Sequence, residues 1–149
     1  RMSVLGGDLN VVVFENFLAG KGKYKIEAIL IDSGRDLTLW IGGGTSPHVG
    51  AIALGMPRPS LEDSNITSAS VSVLCLTGHK EDEWAKNLAH QLAKEFNQPA
   101  VVTLGIHIDD IVRVEMGLLR EAFDAVIEQV IRFQKESLTQ KYKHSKKSL

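Results

Sequence analysis

The chain has 149 residues, which is the size of one ordinary domain and enough to bury a single hydrophobic core. Hydrophobic residues make up 44% of it and charged residues 23%, as in soluble globular proteins, so disordered, collagen-like and coiled-coil classes are excluded. The net charge of -1 conceals five lysines and one glutamate in residues 135–149, which leaves the rest of the chain acidic. An acidic body excludes a bulk nucleic-acid binder.

The sequence has no pattern typical of export or membrane insertion. No apolar run approaches the length of a membrane span, and the first residues lack the charged and apolar regions of a signal peptide. We therefore predict a cytoplasmic protein. The single cysteine, Cys75, lies between Leu74 and Leu76 and cannot form an internal disulfide. We interpret it as a small buried hydrophobic residue in a reducing compartment.

Hydrophobic periodicity predicts a chain of alternating strands and helices. Strands are expected at residues 9–14, 24–32, 37–41, 49–54, 69–77 and 100–108, and helices at 81–96 and 116–134. The segment from Gly55 to Pro59 is expected to end the fourth strand, because proline cannot donate to a central ladder. The polar segment 60–68 is long enough to be a mobile loop or a lid.

The order of these elements predicts an α+β fold with mixed α/β character, built on a single mixed β-sheet. Short links make the N-terminal strands antiparallel, whereas strand 69–77, helix 81–96 and strand 100–108 form a βαβ unit with parallel strands. Both helices are expected to pack against the sheet. We predict a single globular domain over residues 1–134 and a basic C-terminal extension over residues 135–149, which has no apolar period.

A glycine-rich loop follows strand 37–41 and precedes the return strand. Its three successive glycines, Gly42 to Gly44, allow positive φ and close approach of another group to the main chain. The alternating strand directions predict that this loop, with His48, shares one edge of the sheet with two further groups. These are His79 with Lys80, and His107 with Asp109. That edge includes the carboxyl ends of the parallel strands, where open sheets bind ligands.

The residue types at this edge suit an anion. Backbone amides of a glycine loop and of a helix N-terminus attract negative charge, and Lys80 adds a full positive charge, so phosphate is the expected ligand. The glycines match neither common nucleotide-binding fingerprint, and a tight hairpin bend explains them equally well. No metal site is predicted, because the histidines lack metal-ligand spacing and can instead hydrogen-bond a ligand or cap turns.

One face of the last predicted strand carries the small or polar residues Thr103, Gly105 and His107. Such a face leaves room over the sheet for a closely packed helix or for a planar ligand, and helix packing is the preferred interpretation. A catalytic role has weaker support, because Ser46 and His48 form a nucleophile and base without an evident orienting group. We therefore predict that the chain is not an enzyme.

Several segments resemble a known family: residues 43–54, 58–60, 70–83 and 102–109. The most specific parts are Thr-Gly-His-Lys-Glu-Asp-Glu at 77–83 and Gly-Ile-His-Ile-Asp at 105–109. Together these segments are similar to the small D-subunit-like family of gallate decarboxylase systems, over most of residues 9–130. That family is described as a prenylated-flavin chaperone domain with a proteasome-assembly-chaperone-like fold.

The resemblance implies a non-catalytic accessory protein that binds prenylated flavin mononucleotide (FMN) as cargo and assists maturation of a UbiD-type decarboxylase. The partners would be that decarboxylase and, as a further candidate, the flavin prenyltransferase that makes the cofactor, without nucleic acid or membrane. A homo-oligomer is also expected. Lys80 and the glycine amides are expected to contact the phosphate. The expected cofactor contacts are Gly43, Gly44, Thr45, His48, His79, Lys80 and His107.

Two alternative functions belong to other classes. A ligand-free assembly chaperone would pair as a homodimer through a sheet edge or a helix, and flavin would not stabilise it. A small enzyme acting on a phosphorylated substrate would need one histidine as general base, and its pH profile would be lost in a His79→Ala variant.

Overall fold

A computed structural model describes residues 3–4, 13–76 and 81–145, with side chains described for 13–76 and 81–140. The helices are α1 (Asp82–Phe96) and α2 (Glu115–Ser145), and a single 3-10 turn spans Gly22–Tyr24. The described strands are β1 (Ser3–Val4), β2 (Val13–Ala19), β3 (Ile26–Asp32), β4 (Leu37–Gly44), β5 (Ala51–Pro59), β6 (Thr67–Cys75) and β7 (Ala100–His107).

The strands form one mixed sheet in the order β1-β2-β3-β4-β7-β5-β6, which confirms the predicted fold class. The N-terminal strands are antiparallel to their neighbours, and β4 pairs with β7 in parallel. β6 and β7 run in the same direction, as the predicted βαβ unit requires, but β5 lies between them and is antiparallel to both. The unit is therefore split by the strand that precedes it in the chain.

Both helices pack on one side of the sheet, which we call the covered face. α1 contacts β5, β6 and β7, and α2 contacts β2 and β3. Small residues let α1 approach closely: a Cβ on Gly55 would lie 2.3 Å from the carbonyl oxygen of Ala89. Side chains fully buried at this face include Ala28, Leu30, Leu39, Ile41, Leu92, Val102, Leu104 and Val126.

The opposite side of the sheet, which we call the uncovered face, carries no helix of the described chain. Its side chains come from the alternate positions of the same strands. Large apolar side chains on it are Phe14, Leu18, Ile31, Trp40, Ile52, Leu54, Met56 and Leu74, of which Trp40 is half-buried and the others are exposed.

Several predicted strand boundaries are wrong. β4 runs through Gly44 instead of ending at residue 41, so the three glycines lie in a paired strand and not in a loop. The first long strand spans Val13–Ala19, so only its first two residues overlap the predicted segment, and residues 9–12 lie outside the described part. β5 continues to Pro59 instead of ending at Gly55. Beyond Gly55 this strand pairs with β6 alone. The nitrogens of Pro57 and Pro59, two residues apart, can therefore both point to the unpaired side, where no donor is required.

The second helix is eleven residues longer at its C-terminal end than predicted, since it runs to Ser145 instead of residue 134. Its buried stripe continues from Val130 through Gln134 to the partly buried Leu138. The Gln134 Nε2 donates to Oδ2 of the buried Asp32 over 3.0 Å. A polar residue therefore occupies a core position, and it interrupts the apolar period from which the helix end was predicted. The lysine, glutamate and glutamine residues that follow favour helix, so the helix continues.

Two local expectations also change. Cys75 is exposed, not buried, because β6 is an edge strand and its last residues have a neighbour on one side only.

The segment between β5 and β6 is closed by a bond from the Ser60 amide to the Ile66 carbonyl, 2.8 Å long. It lies at the end of β5 far from the glycine loop, so it is not a lid over that loop. No described helix is long and apolar enough to cross a membrane.

Candidate functional site

The predicted shared edge is present in the described structure, and we call it the upper edge. β2, β4, β6 and β7 end there, and β3 and β5 begin there. It brings together residues 20–25, residues 44–50 and the segment 107–115. Because β4 ends at Gly44, the name glycine loop is used from here for residues 44–50. The amide of Leu76 donates to the carbonyl of Gly50 over 2.9 Å, so the end of β6 adjoins the loop. His79 and Lys80 lie outside the described residues.

Gly44 and Thr45 join the glycine loop to the end of β7. The Thr45 amide and hydroxyl both donate to the carbonyl of His107, over 2.7 and 3.2 Å. Gly44 has φ of 80°, and a Cβ there would lie 2.0 Å from the same carbonyl oxygen. Gly43 is also constrained, since a Cβ on it would lie 2.9 Å from the Lys25 carbonyl oxygen. Glycine is needed here because neighbouring backbone occupies the space of a side chain.

The glycine-loop amides have structural partners. The Gly44 amide donates to the Lys25 carbonyl over 3.1 Å, and the Thr45 amide is bonded to His107. These two donors are therefore part of the fold and are not open to an anion. The predicted role of the glycine amides in phosphate binding does not apply to Gly44 and Thr45, because the last residues of β4 are paired on both sides.

Two histidines from distant parts of the chain meet at this loop. The rings of His48 and His107 are 5.8 Å apart between centroids and lie edge to face. The carbonyl of Ser46 lies 2.9 Å from Nδ1 of His48, and a carboxylate oxygen of Asp109 lies 2.9 Å from Nε2 of His107. Both rings are thus oriented by neighbouring oxygen atoms. Such a pair can donate hydrogen bonds to a ligand oxygen or stack beside a flat ring.

The strip formed by Gly42 and Gly105 is filled by the glycine loop. These glycines face each other across β4 and β7. A Cβ on Gly105 would lie 1.8 Å from the His48 carbonyl oxygen, and a Cβ on Gly42 would lie 2.3 Å from the Trp40 ring. The sequence favoured a helix packed over this face of the last strand, and that prediction is wrong. The glycine loop crosses the strip, and both helices lie on the opposite face. The indole of Trp40 extends the site onto the uncovered face.

A second cluster links residues 20–25 to the start of α2. Glu115 accepts from Lys23 Nζ over 2.7 Å, from the Tyr24 hydroxyl, and from the Val112 amide over 3.0 Å. These donors, Lys23 first, lower the pKa of Glu115 from its usual 4.5 to about 2. The carboxylate in turn raises the pKa of Lys23 and of Tyr24.

Sequence reasoning missed this cluster because its members are about ninety residues apart and none belongs to a motif. It positions the segment after His107 relative to the β2–β3 turn. Trp40 was also not among the expected contacts. Asp109 was expected at this edge beside His107, but not as a contact of the ligand. Within the described residues, no group of three or more histidine, cysteine, aspartate or glutamate side chains is arranged to hold a metal ion.

Comparison with known proteins identifies relatives over most of the chain. Residues 20–135 match the family described as the prenylated flavin chaperone LpdD-like domain. The chain is 24% identical over 115 residues to Protein LpdD of Lactiplantibacillus plantarum, covering 77% of this chain and 81% of that protein. It is also similar to a chain from a crystal structure of a chaperone complex for yeast 20S proteasome assembly, with a TM-score of 0.52 and 15% identity. That similarity covers 84% of this chain and 98% of the yeast chain, and it concerns the fold alone.

Proposed function

Because this chain belongs to the family of prenylated flavin chaperone LpdD-like domains, we propose that it binds prenylated FMN as cargo and assists maturation of a UbiD-type decarboxylase. In this role the protein is a carrier and not an enzyme. Its partners are the decarboxylase that receives the flavin and, as a further candidate, the prenyltransferase that makes it.

The observation that carries the proposal is the pair of oriented histidines beside the glycine loop. His48 and His107 come from the loop and from the end of β7, and their rings meet at the upper edge. Ring nitrogens can donate to phosphate or carbonyl oxygens, and ring faces can pack beside a fused aromatic system. A flavin nucleotide presents both kinds of group.

We assign the remaining contacts by their place around this pair. Gly43, Gly44 and Thr45 shape the loop, while Lys80 and His79, outside the described residues, follow β6 toward the same edge in sequence. Since the amides of Gly44 and Thr45 are bonded within the protein, the phosphate charge is balanced by Lys80, and the imidazoles donate hydrogen bonds to phosphate oxygens. Trp40 offers a further aromatic surface near the loop.

The test is thermal stabilisation of the purified protein by oxidised FMN, reduced FMN, prenylated FMN and inorganic phosphate. A ligand at about 100 times its Kd adds about 2.7 kcal/mol to native stability, which is readily measured. We expect the largest shift with prenylated FMN, and a smaller shift in the Lys80→Ala and His107→Gln variants. Lys94→Ala, a charge change in the last turn of α1 at the opposite end of the sheet, is the matched control.

Absence of stabilisation by any flavin would refute the cargo role. The chain would then be better described as a ligand-free assembly chaperone. Equal loss of the shift in Lys80→Ala and Lys94→Ala would instead reject the assignment of the phosphate to the upper edge, because both variants remove one positive charge.

A further inference from the structure

The uncovered face carries a mainly apolar band made of two adjacent rows of side chains. The strand register aligns Phe14, Ile31, Thr38, Val101 and Leu54 in one row across five strands. The adjacent row contains Ile29, Trp40, Thr103, Ile52 and Leu74. Each row crosses five of the seven strands, and the rows end at Ser72 on β6 and at Asn16 on β2. Because the rows are adjacent, these side chains form one surface and not scattered exposed residues.

The large apolar side chains of this band are unusually exposed to solvent. Within the two rows Leu74 is 75% exposed, and Phe14 and Leu54 are each 39% exposed. Leu18, 51% exposed, and Met56, 46% exposed, lie outside the rows on the same face and extend the apolar surface. Contiguous apolar patches of several hundred Å² are uncommon on soluble monomers and mark interaction surfaces. On the covered face of the same strands, Ala28, Leu30, Leu39, Ile41, Val102 and Leu104 are fully buried, so the difference lies in what packs on each side.

Charge on this face is sparse and balanced. Among the lysine, arginine, aspartate and glutamate residues of the described strands, Glu27 and Arg58 are the ones in register with it. Glu27 lies at the upper end of β3 and accepts from Asn16 over 2.8 Å. Arg58 lies at the lower end of β5 and donates to Ser70 over 2.9 Å. The two charges are opposite in sign and near the rim, so an identical surface is not repelled.

We propose that the occupant of the uncovered face is a second copy of this chain, packed sheet against sheet. Six strands, each about 4.8 Å wide, and four alternate residues, each taking about 6.6 Å, give a face of roughly 760 Å² in projection. Side-chain relief adds to that area, and a stable dimer of standard size buries about 800 Å² on each partner. A twisted sheet is matched in shape by another sheet of the same twist, as in β-sandwiches.

The predicted dimer is isologous, since the same patch is used by both copies. Its interface is a sheet face, in contrast to the sheet edge or helix expected from sequence. Leu54 and Ile52 lie on β5 between β7 and β6, within the two apolar rows. Trp40 lies on β4 within the second row, and its ring contacts the glycine-loop side of the strip at Gly42. The interface therefore adjoins the candidate cargo site and shares Trp40 with it.

The test is the molar mass of the ligand-free protein in solution, measured by light scattering after size exclusion and by sedimentation equilibrium. Wild type is expected at twice the mass of one chain at micromolar concentration. Leu54→Glu places two carboxylates in the interface and is expected to give monomers, with at least a hundredfold weaker association. Leu118→Glu, a matched change at a similarly exposed leucine on α2, is expected to leave the dimer intact.

A second measurement guards against a variant that does not fold. In a Trp84→Phe background, the emission maximum of Trp40 is expected to move to shorter wavelength as the protein concentration is raised through the association range. A wild-type monomer at 200 µM, or about that concentration, would overturn the proposal. The proposal would also be overturned if Leu118→Glu abolished the dimer while Leu54→Glu retained it. Binding of a different protein to the uncovered face would overturn it as well. None of these readouts involves flavin, so they are separable from the cargo test.

Discussion

The two faces of the sheet are made by the same strands, but helices pack on one of them and leave the other exposed. On the covered face, alanines and Gly55 let α1 approach the sheet, and medium-sized aliphatic side chains fill the space under both helices. On the uncovered face, β2 and β5 carry large apolar side chains that remain open to solvent, and β6 adds Leu74 beside three serines. Both faces carry large apolar side chains, and the packed helices decide which face is the core of the single chain.

The largest difference is expected from truncating one leucine on each face. Leu104 is fully buried at the covered face, whereas Leu54 is 39% exposed on the opposite one. Leu104→Ala should cost about 2–5 kcal/mol in the free energy of unfolding, because it leaves a cavity. Leu54→Ala should cost less than about 1 kcal/mol when the protein is dilute enough to be monomeric. Urea unfolding checks both, and equal losses would contradict the distinction between the faces.

Adding a methyl group sharpens the same comparison. A Cβ at Gly55 would lie 2.3 Å from the Ala89 carbonyl oxygen of α1, so the helix must shift. Gly55→Ala should therefore destabilise the protein by about 1–3 kcal/mol. At Gly42 a Cβ would meet the tip of the Trp40 ring, which can rotate away more cheaply than a helix can move.

Gly42→Ala should accordingly cost less than Gly55→Ala and change Trp40 fluorescence. Thermal unfolding of the two variants, with an emission spectrum of each, makes the comparison. A larger loss in Gly42→Ala would mean that the Trp40 ring and the loop above it are as rigid as the helix layer.

The smallest effect is expected at the upper edge, where neither face is involved. Glu115 has its pKa lowered to about 2 by Lys23, Tyr24 and the Val112 amide. A carboxyl whose pKa is lower in the folded protein stabilises it above the unfolded value, and this contribution is lost as the pH falls toward the folded pKa. The stability of wild type relative to Glu115→Gln should therefore be constant near neutral pH and decrease from about pH 4.5 to 2.

Thermal unfolding from pH 7 to 2.5 tests this dependence, with Glu121→Gln as a control, since Glu121 is an exposed glutamate on the same helix. A difference that does not change with pH would mean that Glu115 acts by packing and not by charge.

Parts of the fold follow from local patterns. Alternation in β3 and the spacing of Leu88, Leu92 and Phe96 in α1 identified these elements, because the strand and helix periods leave direct traces in the chain. The end of α2 could not be identified in this way. Gln134 occupies a core position only because the buried carboxylate of Asp32, 102 residues away, accepts its hydrogen bond.

The candidate site divides along the same line. The glycine loop, His48 and His107 were predicted to share an edge from strand direction alone, since a strand's parity follows from the number of reversals before it. The sequence could not predict that the amides of Gly44 and Thr45 are hydrogen-bonded within the protein. Those bonds depend on the register of β4 with β3 and β7. Sequence determined which residues are apolar and where the chain reverses; tertiary structure decided which apolar face is covered and which donors are open, because both depend on contacts between residues far apart in the chain.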